Sequence, residues 1–147
     1  MNKLKLTIEL VPESSWLNNV RAVLTSKQWN IIKKQVFAKA WDTCEICGGI
    51  GPKHPVECHE IWHYDDKTLI QKLTGMIALC PKCHMVKHIR LAQIRNKKEE
   101  ATLHFMKINK IKRQEAEKYI IDAFRKWNER SNNIWKLDIS ILKEYDL

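Results

Sequence analysis

The sequence predicts a mixed α+β fold in a single domain, and three observations lead to that prediction. The length of 147 residues suits one domain with a modest hydrophobic core. Short segments alternate apolar and polar residues, which indicates half-buried strands, whereas others repeat apolar residues every three or four positions, which indicates helices. Cysteine and histidine are concentrated between these elements, in residues 44–88.

The first part of the chain, residues 1–40, is predicted to form a strand followed by a helix. Apolar residues at alternate positions of residues 4–10 indicate a half-buried strand that ends at Pro12. Ser26 is a suitable N-cap for a helix that continues to about Ala40. The helix positions expected to face the core are Trp29, Ile32, Val36 and Phe37.

The central part, residues 41–90, begins with a cysteine pair and continues into glycine- and proline-rich turns. Residues 56–64 then indicate a strand, because their side chains alternate between two chemical types. One face would carry Val56, Cys58, Trp62 and Tyr64. The other face would carry Glu57, His59, Ile61 and His63. Asp65 and Asp66 mark the turn that follows this strand.

The last part, residues 91–147, is predicted to be a basic helical extension. A helix starting near Pro81 leads into it, because proline suits the first turn of a helix. Further helices are expected over residues 98–108 and 113–130, the second with an apolar stripe at helical spacing. Alternation over residues 135–139 predicts a short strand, placed beside the N-terminal one.

Two C-x-x-C pairs, with 32 residues between them, carry the clearest chemical signal. Cys44 and Cys47 form the first pair, and Cys80 and Cys83 form the second. Four thiolates at this spacing can occupy the corners of a tetrahedron, which is the geometry of structural zinc. A cysteine knuckle, a hairpin and a helix carrying the second pair make up a treble-clef arrangement. The sequence therefore predicts one structural zinc ion bound by all four cysteines.

Histidines beside this quartet suggest a second metal site. His84 and His88 lie four residues apart on a predicted helix and so project from one face. Cys58 and His59 lie on the strand expected to pack against that helix. Adjacent strand residues point to opposite faces, so both can reach the site only if the strand bends there.

Charge and composition limit the classes of partner. The net charge is +9, with twelve basic against six acidic residues over 89–130 and five against five over 44–88. Basic flanks around a neutral centre suit phosphate binding, although lysines that merely solvate helices explain the same count. No segment suits a membrane span or a signal peptide. Five cysteines in this setting predict metal binding in a reducing, cytoplasmic location.

These residues resemble a known family. Residues 56–61 (Val-Glu-Cys-His-Glu-Ile) and 79–88 (Leu-Cys-Pro-Lys-Cys-His-Met-Val-Lys-His) are similar to the four-cysteine branch of the HNH nucleases. That family comprises ββα-metal enzymes of phages, mobile elements and restriction systems, and colicin DNases share the site. The resemblance covers about residues 41–90, and it implies a ββα-metal, treble-clef-like core.

The resemblance also implies roles for single residues. The family's general base falls on His59, and its metal ligands fall on His84 and His88. The residue before the base, usually a metal-binding Asp or His, is Cys58 here. The family's middle Asn, expected in the loop between strand and helix, is replaced by Gly75. A thiolate ligand at position 58 would favour soft metals.

The function implied is metal-dependent hydrolysis of phosphodiester bonds in double-stranded DNA. The cofactors would be structural Zn²⁺ and a second divalent ion, namely Mg²⁺, Mn²⁺, Ni²⁺ or Zn²⁺. Basic side chains near the centre would hold the DNA backbone without reading its sequence. The candidates are Lys87, Arg90, Arg95, Lys97, Lys98, Lys110, Lys112 and Arg113.

Two other functions stay open at the level of sequence. The first is a zinc-stabilised DNA-binding module that has lost catalysis, which Cys58 and Gly75 favour. The second is a structural or protein-binding zinc domain whose basic faces only keep it in solution. Cleavage of DNA separates the nuclease from both, and salt-dependent DNA binding separates the two from each other.

Overall fold

The structure, a computed structural model, describes residues 3–145 and residue 147. It combines a small sheet with six helices in these residues, so the predicted α+β class is confirmed. Short 3₁₀ helices at Glu13–Ser15 and Ser140–Glu144 flank the rest. In chain order the elements are α1 (Val20–Val23), α2 (Ser26–Lys39), β1 (Glu57–Asp65), β2 (Ile70–Leu79), α3 (Pro81–Lys87), α4 (Ile89–Ile94), α5 (Lys98–Asn109), α6 (Arg113–Ser131) and β3 (Lys136–Asp138).

The sheet has the order β1-β2-β3. Strands β1 and β2 form an antiparallel hairpin, from the pair Glu57 and Leu79 to the pair Asp65 and Ile70, with a register shift at Ile61/Trp62. Strand β3 pairs with β2 in parallel. The prediction that residues 135–139 lie beside an N-terminal strand was therefore wrong: the polypeptide after α6 returns to β2 instead.

The N-terminal segment forms no strand within residues 3–10. Leu6, Ile8 and Leu10 are buried as their alternation predicts. Their backbone, however, pairs with side chains of helices instead of with a strand: Asn109 donates to and accepts from Leu6, and the Ile8 N–H donates to the Tyr119 hydroxyl. The alternation of apolar residues in this segment reflects burial against α5 and α6. It does not show which groups form hydrogen bonds with the backbone of the segment.

The helices begin and end close to the predicted positions. Helix α2 is capped by Thr25 instead of Ser26, because the Thr25 hydroxyl accepts from the Gln28 N–H while the Gln28 side chain accepts from the Thr25 N–H. The helix from Pro81 is interrupted at His88, whose φ of −110° and ψ of 45° separate α3 from α4. This break sets the orientation of the His88 side chain relative to His84.

Two groups of buried apolar residues surround the hairpin. One joins the N-terminal segment, the cysteines and helices α3 to α6, with Phe105 fully buried within it. The other joins α2, the C-terminal residues and the strand residues Cys58, Trp62 and Leu73. Helix α3 contacts both strands of the hairpin and α5. Helix α3 thereby packs against β1, the strand that carries His59.

Candidate metal sites and their surroundings

The four cysteines predicted to bind zinc lie together. Their sulfur atoms all lie within 4.8 Å of one another, and the sulfurs of Cys47 and Cys80 are 3.7 Å apart. A zinc ion with four sulfurs at about 2.3 Å places neighbouring sulfurs about 3.8 Å apart. The cluster, here called the cysteine site, is therefore close enough to bind one metal ion such as zinc.

Backbone geometry orients these sulfurs. The Cys47 N–H points at the Cys44 sulfur at 3.5 Å, and the Cys83 N–H points at the Cys80 sulfur at 3.4 Å. Gly48 has a φ of +76°, a conformation that glycine adopts without strain, and this turns the Gly49 N–H toward the Cys47 sulfur. Donors aimed at sulfur favour the thiolate, which is the form that binds metal.

The thiols of the cysteine site cannot all ionise without a cation. A hydrogen bond with Cys83 lowers the pKa of Cys44 to about 4. The same contact, together with burial, raises the pKa of Cys83. Burial also raises the pKa of Cys80. The quartet therefore repels additional negative charge by itself, and a divalent cation would remove that penalty.

One contact with the cysteine site was not predicted from sequence. Nε2 of His104, on α5, lies 3.2 Å from the Cys83 sulfur. The half-buried imidazole links the helical extension to the centre of the molecule. Its position 21 residues after Cys83 carries no recognisable spacing, so only the packing of α5 on α3 reveals it.

Three histidines form a second cluster, here called the histidine site. The ring nitrogens of His59, His84 and His88 lie within 4.8 Å of one another. Nε2 of His84 and Nε2 of His88 are 3.1 Å apart. Two imidazole nitrogens bound to one ion at about 2.1 Å lie roughly 3.0 to 3.4 Å apart for ligand angles of about 90 to 110°. The pair thus has the spacing of two ligands of one ion.

Glu57, which sequence reasoning left without a role, orients His84. Its carboxylate accepts from Nδ1 of His84 at 2.9 Å and from Nε2 of His54 at 2.8 Å. Because the carboxylate accepts at Nδ1, Nε2 is the ring nitrogen of His84 that faces His88. The signal existed in the sequence, since Glu57 and His59 are two apart on one strand and share a face.

Burial keeps two of the three histidines, His59 and His88, uncharged. It lowers the pKa of His59 to about 2, with His88 and His84 adding to the shift, and it lowers the pKa of His88 to about 4. Burial raises the pKa of Glu57, but hydrogen bonds with His84 and His54 outweigh it and leave the pKa lowered. Both buried imidazoles are therefore uncharged near pH 7, the form in which histidine binds metal.

Cys58 does not join the histidines. Its sulfur is buried and contacts the Met76 sulfur at 3.9 Å, within the apolar group that includes Trp62. Burial raises the pKa of the Cys58 thiol to about 12, so the group stays protonated. The structure thus gives no support to Cys58 as a ligand. The register of β1 shifts only between Ile61 and Trp62, after Cys58 and His59. The shift therefore does not bring the side chains of these two neighbouring residues to the same face.

Gly75 also lies elsewhere than expected. It belongs to strand β2, opposite Ile61 at the register shift, and not to a loop between strand and helix. The expected loop was wrong because β2 runs without interruption to Leu79, directly before Cys80. A Cβ atom at position 75 would meet no other atom within 4 Å.

The histidine site opens on a cleft of about 530 Å³, here called the histidine cleft. Exposed basic side chains reach it from the N-terminal part of the chain, namely Lys5 and Arg21, neither of which was predicted. Lys87 lines the cleft too, but its ammonium group donates to Thr7 and to the Glu9 carboxylate, at 3.0 and 3.2 Å. Its charge is therefore partly compensated.

The other predicted phosphate-binding residues divide into two groups. Arg95 and Lys97 line a second groove of about 580 Å³, which also contacts His84 and His88. The remaining residues line neither the histidine cleft nor this groove, and three of them contact other side chains. Arg113 pairs with Glu99 and Glu117, and Arg90 lies over the Trp127 ring. Lys98 lies over the Phe124 ring, and Lys110 and Lys112 flank the turn between α5 and α6.

Comparisons with known proteins do not assign the chain to a family. No family model, no curated protein and no solved structure matches it. Among the described residues, no helix combines the length and the apolar character that a membrane span requires. The HNH resemblance therefore rests on the residues quoted for it.

Proposed function

We propose that this protein is a metal-dependent DNA endonuclease of the HNH type, with a ββα-metal, treble-clef-like centre. The observation that carries this proposal is the histidine site: the imidazoles of His59 on β1, His84 on α3 and His88 at the break between α3 and α4 meet at a cleft lined by basic side chains. The cysteine site, which includes the N-cap of α3 (Cys80) and the neighbour of His84 (Cys83), would hold a structural zinc ion that fixes the start of that helix.

The residues of the histidine site have complementary roles in this proposal. His84 and His88 would hold a divalent ion, because their nitrogens have the spacing of two ligands and Glu57 orients one of them. Such an ion stabilises negative charge on a phosphate and on the leaving oxygen. His59 would accept the proton of the water that attacks phosphorus, since its ring centroid lies 5.2 Å from the ring centroids of both His84 and His88.

The nucleic acid would be held by side chains on two sides of the histidines. Lys5 and Arg21 line the histidine cleft, and Arg95 and Lys97 line the groove on the other side of His84. These residues are exposed, so they would contact the phosphate backbone and bind with little preference for sequence.

A plasmid-nicking assay with added Mg²⁺, Mn²⁺, Ni²⁺ or Zn²⁺ tests this function. The wild type should nick the plasmid, and His59→Ala should reduce the rate by at least about a hundredfold, the range of general-base catalysis. His63→Ala is the matched control, because His63 is an exposed histidine on the same strand outside the cluster. A His59→Ala protein as active as the wild type would eliminate His59 as the base.

The second candidate is a DNA-binding module without catalysis, and one observation favours it. With Cys58 in the apolar core, three histidines are the ligands that the cluster offers, and His59 would then bind metal instead of activating water. Metal content separates the two functions. If the protein is a nuclease, the His59→Ala variant should keep the second metal. If it is a DNA-binding module, the variant should lose that metal, and the wild type should not cleave DNA.

A further inference from the structure

A second pocket adjoins the histidine cleft, and the proposed chemistry does not use it. It encloses about 350 Å³, and we call it the tryptophan pocket because Trp16, Trp62 and Trp127 contribute to its lining. Several residues line both the pocket and the cleft, so the two spaces are direct neighbours. These shared residues are Val11, Asn19, Trp62, His88 and Leu91.

One side of this pocket is an aromatic surface held in a fixed position. The rings of Trp16 and Trp127 are stacked, with 6.4 Å between centroids and 26° between planes. Both indole N–H groups donate to the same carbonyl oxygen, that of Val11, at 3.0 and 2.9 Å. Their polar atoms are thus satisfied without an occupant, while Trp16 remains 45% exposed. A preformed aromatic wall suits a flat apolar ring.

Gln71, also in the lining, supplies an observation that points to a ligand. Its side chain is fully buried, yet neither its amide nitrogen nor its amide oxygen has a hydrogen-bond partner in the described part of the chain. Leaving such a group unsatisfied is destabilising, so buried amides are normally paired. An amide offers a donor and an acceptor side by side, which matches the edge of a nucleobase.

Arg90 completes this set on the wall of the pocket. Its guanidinium carbon lies 5.7 Å from the centre of the Trp127 ring, and its Nε is buried without a partner among the described residues. A guanidinium plane beside an aromatic wall stacks on bases and attracts the phosphates attached to them.

We propose that the tryptophan pocket binds one unstacked nucleobase, and that the adjoining phosphate then lies in the histidine cleft. The second half of this statement rests on the proposed function. The ligand class is a nucleotide whose base is unpaired, in single-stranded DNA or at an extruded position of a duplex. The Gln71 amide, once its side chain turns into the pocket, contacts the edge of the base, and the indoles of Trp16 and Trp127 contact its face.

The test measures binding of the zinc-loaded full chain, without other added divalent ions, to a short labelled single strand and to the same strand with abasic sites. Wild type should bind the base-bearing strand about tenfold more tightly, the size of one stacking contact. Trp16→Ala should remove this ratio. Trp41→Ala is the matched control, since Trp41 is 87% exposed and lines neither space. Equal binding of both strands by wild type overturns the proposal.

Gln71→Leu provides the second arm, because it removes both unpartnered polar atoms at similar volume. The melting temperature should stay unchanged or rise, while the preference for the base-bearing strand falls about tenfold. A lower melting temperature with an unchanged preference shows that internal water satisfies the amide, and the proposal then fails. The binding measurement does not depend on cleavage. A wild type that does not cleave DNA but still prefers the base-bearing strand contradicts the proposed endonuclease alone. A wild type that cleaves DNA but binds both strands equally contradicts the proposed base-binding pocket alone.

Discussion

The cysteine site and the histidine site differ in how completely the protein surrounds them. Three of the four cysteines are buried, and backbone N–H groups point at their sulfurs. The histidine site brings together three nitrogens at the mouth of a cleft and leaves room beside them. A closed set of four ligands stabilises structure, whereas an incomplete set leaves a position for water or substrate.

The sites differ as well in what holds their ligands. The cysteines depend on the local backbone of two tight turns, so their geometry follows from short-range sequence. The histidines depend on Glu57 across the strand–helix contact and on the break between α3 and α4 at His88. Substituting one residue of the cysteine site should therefore abolish metal binding by all four cysteines. Substituting one residue that supports the histidine site should only weaken metal binding there.

Removing one cysteine is the largest expected effect. Cys83→Ser should abolish stoichiometric zinc and unfold the central region, because structural zinc contributes on the order of 10 kcal/mol in small domains. Metal analysis and a thermal melt measure both consequences. Cys58→Ala is the matched control, since Cys58 is a buried cysteine outside the quartet, and it should keep zinc at wild-type stoichiometry. A Cys83→Ser protein with full zinc content would show that the cysteine site is not the zinc site.

Glu57→Gln should have an intermediate effect confined to the histidine site. The amide binds Nδ1–H of His84 less strongly than the carboxylate does, so affinity for the second divalent ion should fall about 10- to 100-fold. Zinc content and melting temperature should stay close to wild type. Calorimetric titration of Mn²⁺ into the zinc-loaded protein measures the affinity.

His54→Ala controls for the rest of the Glu57 contacts. It removes the other hydrogen bond of the carboxylate without touching His84, and should cost less than Glu57→Gln. Equal losses for both variants would mean that the carboxylate acts through the loop around His54 instead of through the ligand.

The same contrast explains what the sequence could predict. The cysteine quartet follows from spacing alone, and helices α5 and α6 follow from apolar periodicity, because both signals are local. The alternation of residues 4–10 predicts burial correctly, but its partners, Asn109 and Tyr119, lie more than 100 residues away. Nothing in the sequence near Gln71 marks it as buried and unpartnered. The histidine cleft and the tryptophan pocket are built by contacts between segments that are distant in sequence, and local sequence patterns do not predict such contacts.

Basic side chains at the cleft should matter more for DNA binding than those at the α5–α6 turn. Lys5→Gln with Arg21→Gln should weaken binding and reduce the slope of log affinity against log salt by up to about 2, since each phosphate contact contributes about 0.9. Lys110→Gln with Lys112→Gln removes the same charge away from the histidines and is the matched control. Fluorescence anisotropy across a salt series measures both pairs. Equal effects would mean that only net charge attracts DNA.

Gly75→Asn should have the smallest effect and probes the edge of the histidine site. Gly75 pairs with Ile61 on the face that also carries His59, and a Cβ there meets no atom within 4 Å. Asparagine should therefore fit without strain, and it restricts the unfolded chain more than glycine does, so stability should change by less than about 1 kcal/mol. The Asn side chain would lie on the same face of the sheet as His59, where its amide can hydrogen-bond the imidazole and hold it in place, so nicking should rise. Chemical denaturation and the plasmid assay measure the two expectations. Gly75→Ala is the matched control, since it adds the Cβ without the amide, and a rise in nicking equal to that of Gly75→Asn would trace the effect to backbone restriction alone.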